Sequence, residues 1–524
     1  MTDASSTDRL CETPATAEIA AWLRDLAHEG AHLRLDSRDV QPGDVFVAVP
    51  GGRVDGRSFI RVAAARGASA VLLEALGREQ AAERYPVAAM AVPKLRDRLG
   101  EVAAAFYGDP SADMTGVAVT GTNGKTTTAF WTSQLFTALG LPCGTIGTVG
   151  SFFGGKSFEG PELTTPDAVS LQGLYADLKR AGAKAFAVEA SSVGLEQGRL
   201  AKSRFAVGIF TNLSRDHLDY HKTMEAYESA KGILFAWPGL KAAVLNADDP
   251  VSAHFAEIAK AHGIPVWATG TNGRAAAFAA QTGAAHTVEA NSIRHGEAGM
   301  AFELSVDGRT LSVSVPQIGV FNVSNALGVI AAALACGFAL DKIAEVLPTL
   351  KSPPGRMEMI RAPGMPLGIV DFSHTPDALE KALESLRPAA DARRGRLWCV
   401  FGCGGDRDRG KRPIMGEIAG QLADRVVVTS DNPRSEDPEA IISEVAAGCA
   451  EKAKLALEAD RRQAIYRAVA EAAPEDIVLV AGKGHETEQI TREGAHHFSD
   501  AEVLREAFNE RREHALEARE AGAR

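Results

Sequence analysis

Val117-Ala-Val-Thr-Gly-Thr-Asn-Gly-Lys-Thr-Thr-Thr128 is the segment from which the rest of the chain is best read. Its apolar residues form the end of a strand. Gly121 and Gly124 permit a tight turn with little side-chain bulk, with Thr122 and Asn123 between them. Lys125, Thr126 and Thr127 then open a helix. A glycine turn rich in backbone N–H groups at a helix N-terminus is an anion site. Lys125 can neutralise phosphate charge, and the Thr126 hydroxyl can ligand Mg²⁺. The general phosphate-loop spacing asks for glycine at position 119, where this chain has valine. Strand before, helix after and Gly-Lys-Thr-Thr inside still indicate nucleotide phosphate binding.

Outward from this loop, strand and helix alternate, which predicts a mainly parallel sheet covered on both faces. Ala185–Ser192 reads as a strand bearing Glu189 at its C-terminal end, where an acidic residue commonly holds nucleotide-bound Mg²⁺. Another strand, from Ala206 to Phe210, runs into the polar run Thr211-Asn-Leu-Ser-Arg-Asp-His-Leu-Asp-Tyr-His221. Open α/β sheets place ligands beyond such strand ends, so His217 is a candidate for the site. A helix from Met224 to Phe235 puts Tyr227 and Lys231 on one face. By itself that lysine would be expected in solvent. Residues 270–315 have the alternation of antiparallel strands. Gly319-Val-Phe-Asn-Val-Ser-Asn325 leads into a buried helix, with Asn322 and Asn325 as caps or as amides that read a base.

The flanks divide the chain further. Residues 1–109 read as a small α/β domain, with a helix from Thr16 to His28 and a turn at Asp36-Ser37-Arg38 able to contact an anion. The Pro/Gly-rich Lys351–Glu358 stretch marks a boundary, giving a central domain of 110–352 and a third of 353–524. In the third domain four strands run into polar loops on one edge: Asp371–Asp377, Gly402–Arg412, Ser430–Asp437 and Ala481–Glu486. The tail after Ser499 reads as a solvated, mixed-charge helix.

Composition bounds the possibilities. A chain of 524 residues exceeds one ordinary core and predicts two to four domains. With 45% hydrophobic and 23% charged residues it is ordinarily globular. The formal net charge of -11 argues against nucleic acid or an anionic membrane as the main partner. Six scattered cysteines (11, 143, 336, 399, 403 and 449) indicate reduced thiols in a cytoplasm, not a disulfide framework or a zinc site. The polar, acidic N-terminus lacks a signal pattern. The apolar run Ala326–Leu340 is shorter than the ~20 residues a membrane span needs.

A phosphate loop followed by a basic α/β domain suggests ATP-driven group transfer. Arg407, Arg409, Lys411, Arg412 and Arg434 can bind carboxylates through paired N–H donors. ATP facing a carboxylate site fits activation of an acid for ligation. The chain also resembles the Mur ligase family. Gly121–Thr127 is similar to that family's ATP loop. Further similar stretches are Glu189–Ser192, Thr211–His217, Gly319–Asn325, Gly355-Arg356 and Asp371–Asp377. Asp431-Asn432-Pro433-Arg434 narrows the likeness to members that add diaminopimelate. Val193 and Phe372-Ser373 depart from the common pattern.

The resemblance implies three α/β domains: a smaller N-terminal one, a central one with a mainly parallel phosphate-loop sheet, and a Rossmann-like C-terminal one. It implies a cytoplasmic, monomeric ligase using ATP and Mg²⁺. The enzyme would join meso-diaminopimelate to the D-Glu γ-carboxylate of a UDP-N-acetylmuramoyl-dipeptide, for peptidoglycan. By this likeness Ser37, Thr164, Thr165, Ser191, Gln197 and Arg199 contact the UDP substrate. Asn325 meets adenine, Arg356 reaches phosphate, and Asp371 and His374 lie near the nucleoside. Lys231 matches a lysine that is carbamylated in the family, making it a metal ligand beside Thr126, Glu189 and His217. Arg407, Asp431, Asn432, Pro433, Arg434, Gly482 and Glu486 match the diaminopimelate pocket.

Alternatives make different expectations. A folylpolyglutamate synthetase or a lysine-adding ligase would not need Asp431–Arg434. A phosphate-loop GTPase switch would carry Asn-Lys-x-Asp, which is absent. A non-catalytic scaffold would not require Lys125, Glu189 and His217 together.

Overall fold

The computed structural model describes residues 14–52, 54–75, 85–161, 163–296, 299–449 and 454–522. These fall into two compact units. One comprises Met1–Thr269, Ala277–His286 and Ala331–Phe338; the other comprises Gly270–Ala276, Thr287–Ile330 and Ala339–Arg524.

The first unit contains two sheets. Strands β1 (Leu33–Arg34), β2 (Val45–Ala48), β3 (Ala70–Glu74) and β4 (Ala88–Val92) pair in that order, all parallel. Short apolar runs such as Val71-Leu72-Leu73 are buried on both faces, as a parallel sheet between helices demands. Ile19 and Leu23 of the Thr16–Leu26 helix cover one face with Val45, Val47 and Leu72. Val40, Phe46 and Val71 pack on the other.

The second sheet of this unit is built on β5 (Thr115–Thr120). The remaining strands are β6 (Cys143–Gly147), β7 (Gly150–Phe153), β8 (Lys156–Phe158), β9 (Ala185–Glu189), β10 (Val207–Phe210), β11 (Ala242–Asn246) and β12 (Val266–Thr271). The order runs β12-β11-β10-β5-β9-β6-β7-β8. Every pair from β12 to β6 is parallel; β7 and β8 turn back antiparallel. Because β5 is central, its C-terminal end is flanked by the ends of β9 and β10.

The second unit begins its sheets with an antiparallel meander, β13 (His286–Gly296), β14 (Gly299–Val306) and β15 (Arg309–Val315). Strands β16 (Glu358–Ile360), β17 (Leu367–Asp371), β18 (Leu397–Phe401), β19 (Arg425–Val428), β20 (Lys454–Leu457) and β21 (Ile477–Ala481) follow. They order as β16-β17-β21-β18-β19-β20, parallel except for edge strand β16. A hairpin of β22 (Glu488–Thr491) and β23 (Gly494–His497) closes the set. The expected α/β class and the mainly parallel phosphate-loop sheet are both present.

Several expectations need correction. The tail helix Asp500–Gly522 is not simply solvated: Val503, Leu504, Ala507 and Phe508 are buried against Val370, Trp398 and Val480, and Asp500 is buried on Arg461. The Met224 helix ends at Gly232 and tightens into a 3₁₀ turn over Ile233–Ala236. The Glu488–His497 hairpin was not anticipated, because its eight strand residues carry little apolar alternation. Among the described residues no helix is long and apolar enough to cross a membrane. Cys143, Cys336, Cys399, Cys403 and Cys449 are free thiols, and Cys11 lies outside the described residues.

Candidate functional site

In the first unit the glycine loop caps β5. Gly121 has φ 145° and Gly124 φ 85°, and the helix Lys125–Ala138 starts directly after Gly124. A Cβ at Gly121 would overlap the Thr211 hydroxyl, so only glycine fits there. The loop is strapped to the polar segment after β10. Thr122 N–H donates to Asn212 O (2.7 Å) and Asn123 N–H to Asn212 Oδ1 (3.0 Å). The Thr211 hydroxyl and the Asn212 amide both donate to Asn123 O, at 2.6 and 3.1 Å. Lys125 Nζ folds back over the loop, donating to Gly121 O (3.0 Å) and Thr122 O (2.8 Å). Thr126 and Thr127 lie half-buried on the first helical turn.

Lys231 is not in solvent. It is 1% exposed and donates to Gly121 O at 2.8 Å, with Nζ 4.2 Å from the Tyr227 ring centre. Burial holds its amine well below the ordinary lysine range; the nearby Lys125 charge pushes the same way and Asp216 opposes.

Glu189 ends β9 and is 1% exposed. Thr148 donates to it twice, from N–H to Oε1 (2.8 Å) and from its hydroxyl to Oε2 (3.1 Å). The register pairs Glu189 with Val119 on β5, placing the carboxylate beside the glycine loop's strand. His217 has φ 51°, is exposed, and meets the edge of Tyr227 at 6.0 Å and Asp216 at 3.6 Å. No group of three His, Cys, Asp or Glu among the described residues could hold a metal ion by itself. Glu189 and the Thr126 hydroxyl are hard oxygen donors, the kind that an ion of the Mg²⁺ type takes while water and phosphate oxygens complete its shell.

The expected acceptor residues form one network in the same unit. Thr165 Oγ1 donates to Glu189 O (2.7 Å), accepts from Ser191 N–H (2.9 Å) and lies 2.9 Å from Ser191 Oγ. Arg199 donates to Thr165 O (2.9 Å) and to Gln197 Oε1 (2.8 and 3.0 Å). Thr164 Oγ1 lies 3.1 Å from the Thr148 hydroxyl, which ties the group to Glu189. Ser37 is buried in the N-terminal sheet's loop, beside the Asp36–Arg38 ion pair. A cavity of about 500 Å³ opens there, lined by His32, Arg34, Asp36, Arg38, Tyr107 and Glu159 among others.

In the second unit the strand-end loops also gather. Asn325 (Nδ2) donates to Asn322 Oδ1 at 3.3 Å, and Asn322 to Ile318 O at 2.8 Å. Asp371 is half-buried and accepts from Met357 N–H (2.8 Å) and the Ser373 hydroxyl. Burial raises its carboxyl above the usual range, offset by those bonds. The Arg356 guanidinium lies over the Phe372 ring at 4.9 Å, with His374 at 4.5 Å and His485 at 5.1 Å from the same ring. His485, adjacent to the expected Glu486, was not singled out from sequence. A ring contact across 113 positions leaves no local pattern.

The basic cluster is corrected. Arg412 is fully buried and bonded to Glu436 (2.8 and 3.0 Å) and Glu444 (2.8 Å). Arg409 pairs with Glu444, and Lys411 donates to His374 O at 2.7 Å. These three serve the chain's own oxygens. Arg407 is exposed and donates to Asp406 O (3.2 Å); Arg434, at φ 51°, uses Nη1 on Gly405 O (2.9 Å).

The Asp431–Arg434 loop is held from below. Asn432 donates to Glu486 Oε2 (2.9 Å) and accepts from Lys483 Nζ (3.0 Å) and Ile490 N–H (2.9 Å). Arg434 N–H donates back to Ile490 O (3.0 Å), so the unforeseen hairpin anchors this loop. Lys483, fully buried, also binds Glu486 at 2.9 Å. Asp431 Oδ2 would be 2.5 Å from a Cβ on Gly482, which explains the glycine there. Arg461 and Asp500 form a fully buried pair (2.7 and 2.8 Å). The same guanidinium donates to Ser430 O (3.2 Å) and Ala481 O (2.9 Å), tying the ends of β19 and β21.

Comparison with known proteins agrees with this organisation. Residues 31–107 match the Mur ligase family catalytic domain, 119–333 the Mur ligase middle domain and 355–484 the Mur ligase glutamate ligase domain. The chain is 45% identical over 495 residues to the UDP-N-acetylmuramoyl-L-alanyl-D-glutamate–2,6-diaminopimelate ligase of Janthinobacterium sp., covering 94% of this chain and 96% of that protein. It is 46% identical to the Pseudomonas aeruginosa protein of the same name, covering 91% and 94%. A solved structure bearing that name superposes with TM-score 0.66 at 36% identity, covering 92% of this chain and 95% of the other. A glycine loop strapped at a central strand end, with relatives alike over nearly their whole lengths, leads to one conclusion: the chain belongs to the Mur ligase family.

Proposed function

We propose that the chain is an ATP-dependent ligase that joins meso-diaminopimelate to the D-Glu γ-carboxylate of UDP-N-acetylmuramoyl-L-Ala-D-Glu, a step of peptidoglycan precursor synthesis. The loop at Gly121–Thr127, with Lys125 Nζ poised over it 2.8 Å from Thr122 O, carries the reading. Its domains are taken as 1–109, 110–352 and 353–524. The protein works as a monomer in the cytoplasm.

Lys125 and the loop N–H groups bind the ATP phosphates and offset charge on the γ-phosphate. A D-Glu γ-carboxylate oxygen attacks that phosphorus, the bond to the ADP oxygen breaks, and an acyl phosphate forms. The neutral amine of diaminopimelate adds to the acyl carbon. Phosphate leaves with the bonding pair, and the amine's proton passes to solvent. Positioning and electrostatics supply most of the acceleration. Thr165, Ser191, Gln197 and Arg199, with Thr164 and Ser37, orient the UDP substrate. Asn325, Arg356, Asp371 and His374 receive the nucleotide.

Thr126, Glu189, His217 and a carbamylated Lys231 would hold Mg²⁺, which when bound supplies charge compensation and in-line geometry. The buried amine supports the modification: its lone pair adds to carbon dioxide, a proton leaves, and a cation becomes an anionic oxygen donor. Arg407, Asp431, Asn432, Pro433, Arg434, Gly482 and Glu486 form the amino-acid pocket. Arg434 matches the carboxylate that distinguishes diaminopimelate from lysine. Lys483 shares the charge of Glu486, so that end of the pocket attracts a bare ammonium less strongly than Glu486 alone would.

Phosphate release with the UDP-dipeptide, ATP and either meso-diaminopimelate or L-lysine tests this. Efficient release is expected with diaminopimelate only; equal turnover of lysine would remove the Arg434 argument, and no release with either would remove the ligase reading.

A further inference from the structure

Tyr227 has no part in the reaction as described, yet it stands where two networks meet. Its side chain is fully buried. The hydroxyl lies 3.1 Å from Thr122 Oγ1, inside the glycine loop. Thr122 Oγ1 also accepts from Ser214 N–H (3.0 Å) and lies 3.2 Å from Ser214 O. Either hydroxyl can be the donor in the shared bond.

One face of the ring carries Lys231 Nζ at 4.2 Å, and the His221 ring packs at 5.2 Å. His221 in turn lies 2.9 Å from Ser192 Oγ and 3.4 Å from Glu196. Ser192 and Glu196 belong to the short helix Ser192–Glu196 that follows Ser191 and precedes Gln197 and Arg199. Side chains thus join the acceptor segment to the loop in one unbroken series: Glu196, His221, Tyr227, Thr122. All of it sits within one compact unit. Packing alone would be satisfied by phenylalanine at 227; the hydroxyl aimed at Thr122 is what packing does not explain.

We infer that Tyr227 is a positioning residue for ATP: its hydroxyl fixes the Thr122 turn of the glycine loop, and through His221 it ties that turn to the segment holding the UDP substrate. The inference rests on Gly121–Thr127 being the ATP loop. A neutral hydrogen bond of this type is worth a factor of roughly 2 to 12 in an equilibrium constant. The loss should fall on ATP, because the bond ends on the loop.

The test is steady-state kinetics of Tyr227→Phe, Thr122→Val and the double variant, with KM measured separately for ATP, UDP-dipeptide and diaminopimelate. Calorimetric titration with ADP and thermal unfolding accompany it. Tyr227→Phe is expected to raise the KM for ATP and weaken ADP by roughly 2- to 12-fold, with the diaminopimelate KM and melting temperature unchanged. Thr122→Val should do the same, and the double variant should add little to either. An unaltered ATP KM and ADP affinity in Tyr227→Phe would overturn the inference, as would strictly multiplicative effects in the double variant or equal changes in all three KM values with a lowered melting temperature. If Lys125→Ala keeps wild-type ADP affinity and phosphate release, it is the ATP-loop reading itself that fails.

Discussion

A lysine four residues after a tyrosine on a helix face would ordinarily point into water. At Lys231 the helix instead lies against the glycine loop, and the amine is buried on Gly121 O. Position in the fold, not residue type, takes it out of water. Intact mass of the native enzyme should show one carbon dioxide added, lost in Lys231→Ala together with most activity. Lys125 donates to the same carbonyl at 3.0 Å. Lys125→Ala should lower phosphate release by at least about 100-fold, the usual scale for one preorganised charge-stabilising group. Arg434→Ala should cost about 2–5 kcal/mol in kcat/KM for diaminopimelate, measured against a nearly unchanged KM for ATP.

At the scale of elements, strand ends decide what the loops can do. Gly147 closes β6 so near β9 that a Cβ there would overlap Glu189 Oε1. Gly147→Ala should displace the carboxylate and depress kcat while melting temperature moves little; wild-type kcat would remove Glu189 from the machinery. The glycine loop, Glu189 at a strand end and the Asp431–Arg434 turn were all legible because each is a short local pattern with its own chemistry. The pairing of Arg409 and Arg412 with Glu436 and Glu444 was not. It needs residues 24 to 35 positions apart to meet, and a sequence shows charges without partners. Lys483 and His485 escaped notice for the same reason: their roles are defined by side chains that other segments bring to them.

At the scale of the molecule, buried imidazoles set an acid limit. Burial lowers the affinity of His32, His221 and His485 for protons. Unfolding returns each to about 6.5, so below about that pH the unfolded chain binds more protons and stability falls as pH falls. Denaturant unfolding at pH 7.5 and 5.5 should show this loss, and His221→Gln should show less of it. Half-buried Asp371 and buried Asp431, whose carboxyls are raised by desolvation, act in the opposite sense at lower pH but equally in both proteins. An identical pH dependence in the variant would exclude His221 as a contributor.

The Arg461–Asp500 pair extends this to the chain's last helix. Asp500 is its first residue, and its partner guanidinium carries the backbone carbonyls of Ser430 and Ala481 under the proposed amino-acid pocket. A protease cut or stop codon ahead of Asp500 would strand a buried cation there, a defect usually costing about 3–5 kcal/mol. Such a shortened enzyme should lose diaminopimelate turnover although every residue assigned to its substrates is still present, whereas a cut beyond Phe508, past the last buried turn, should be tolerated.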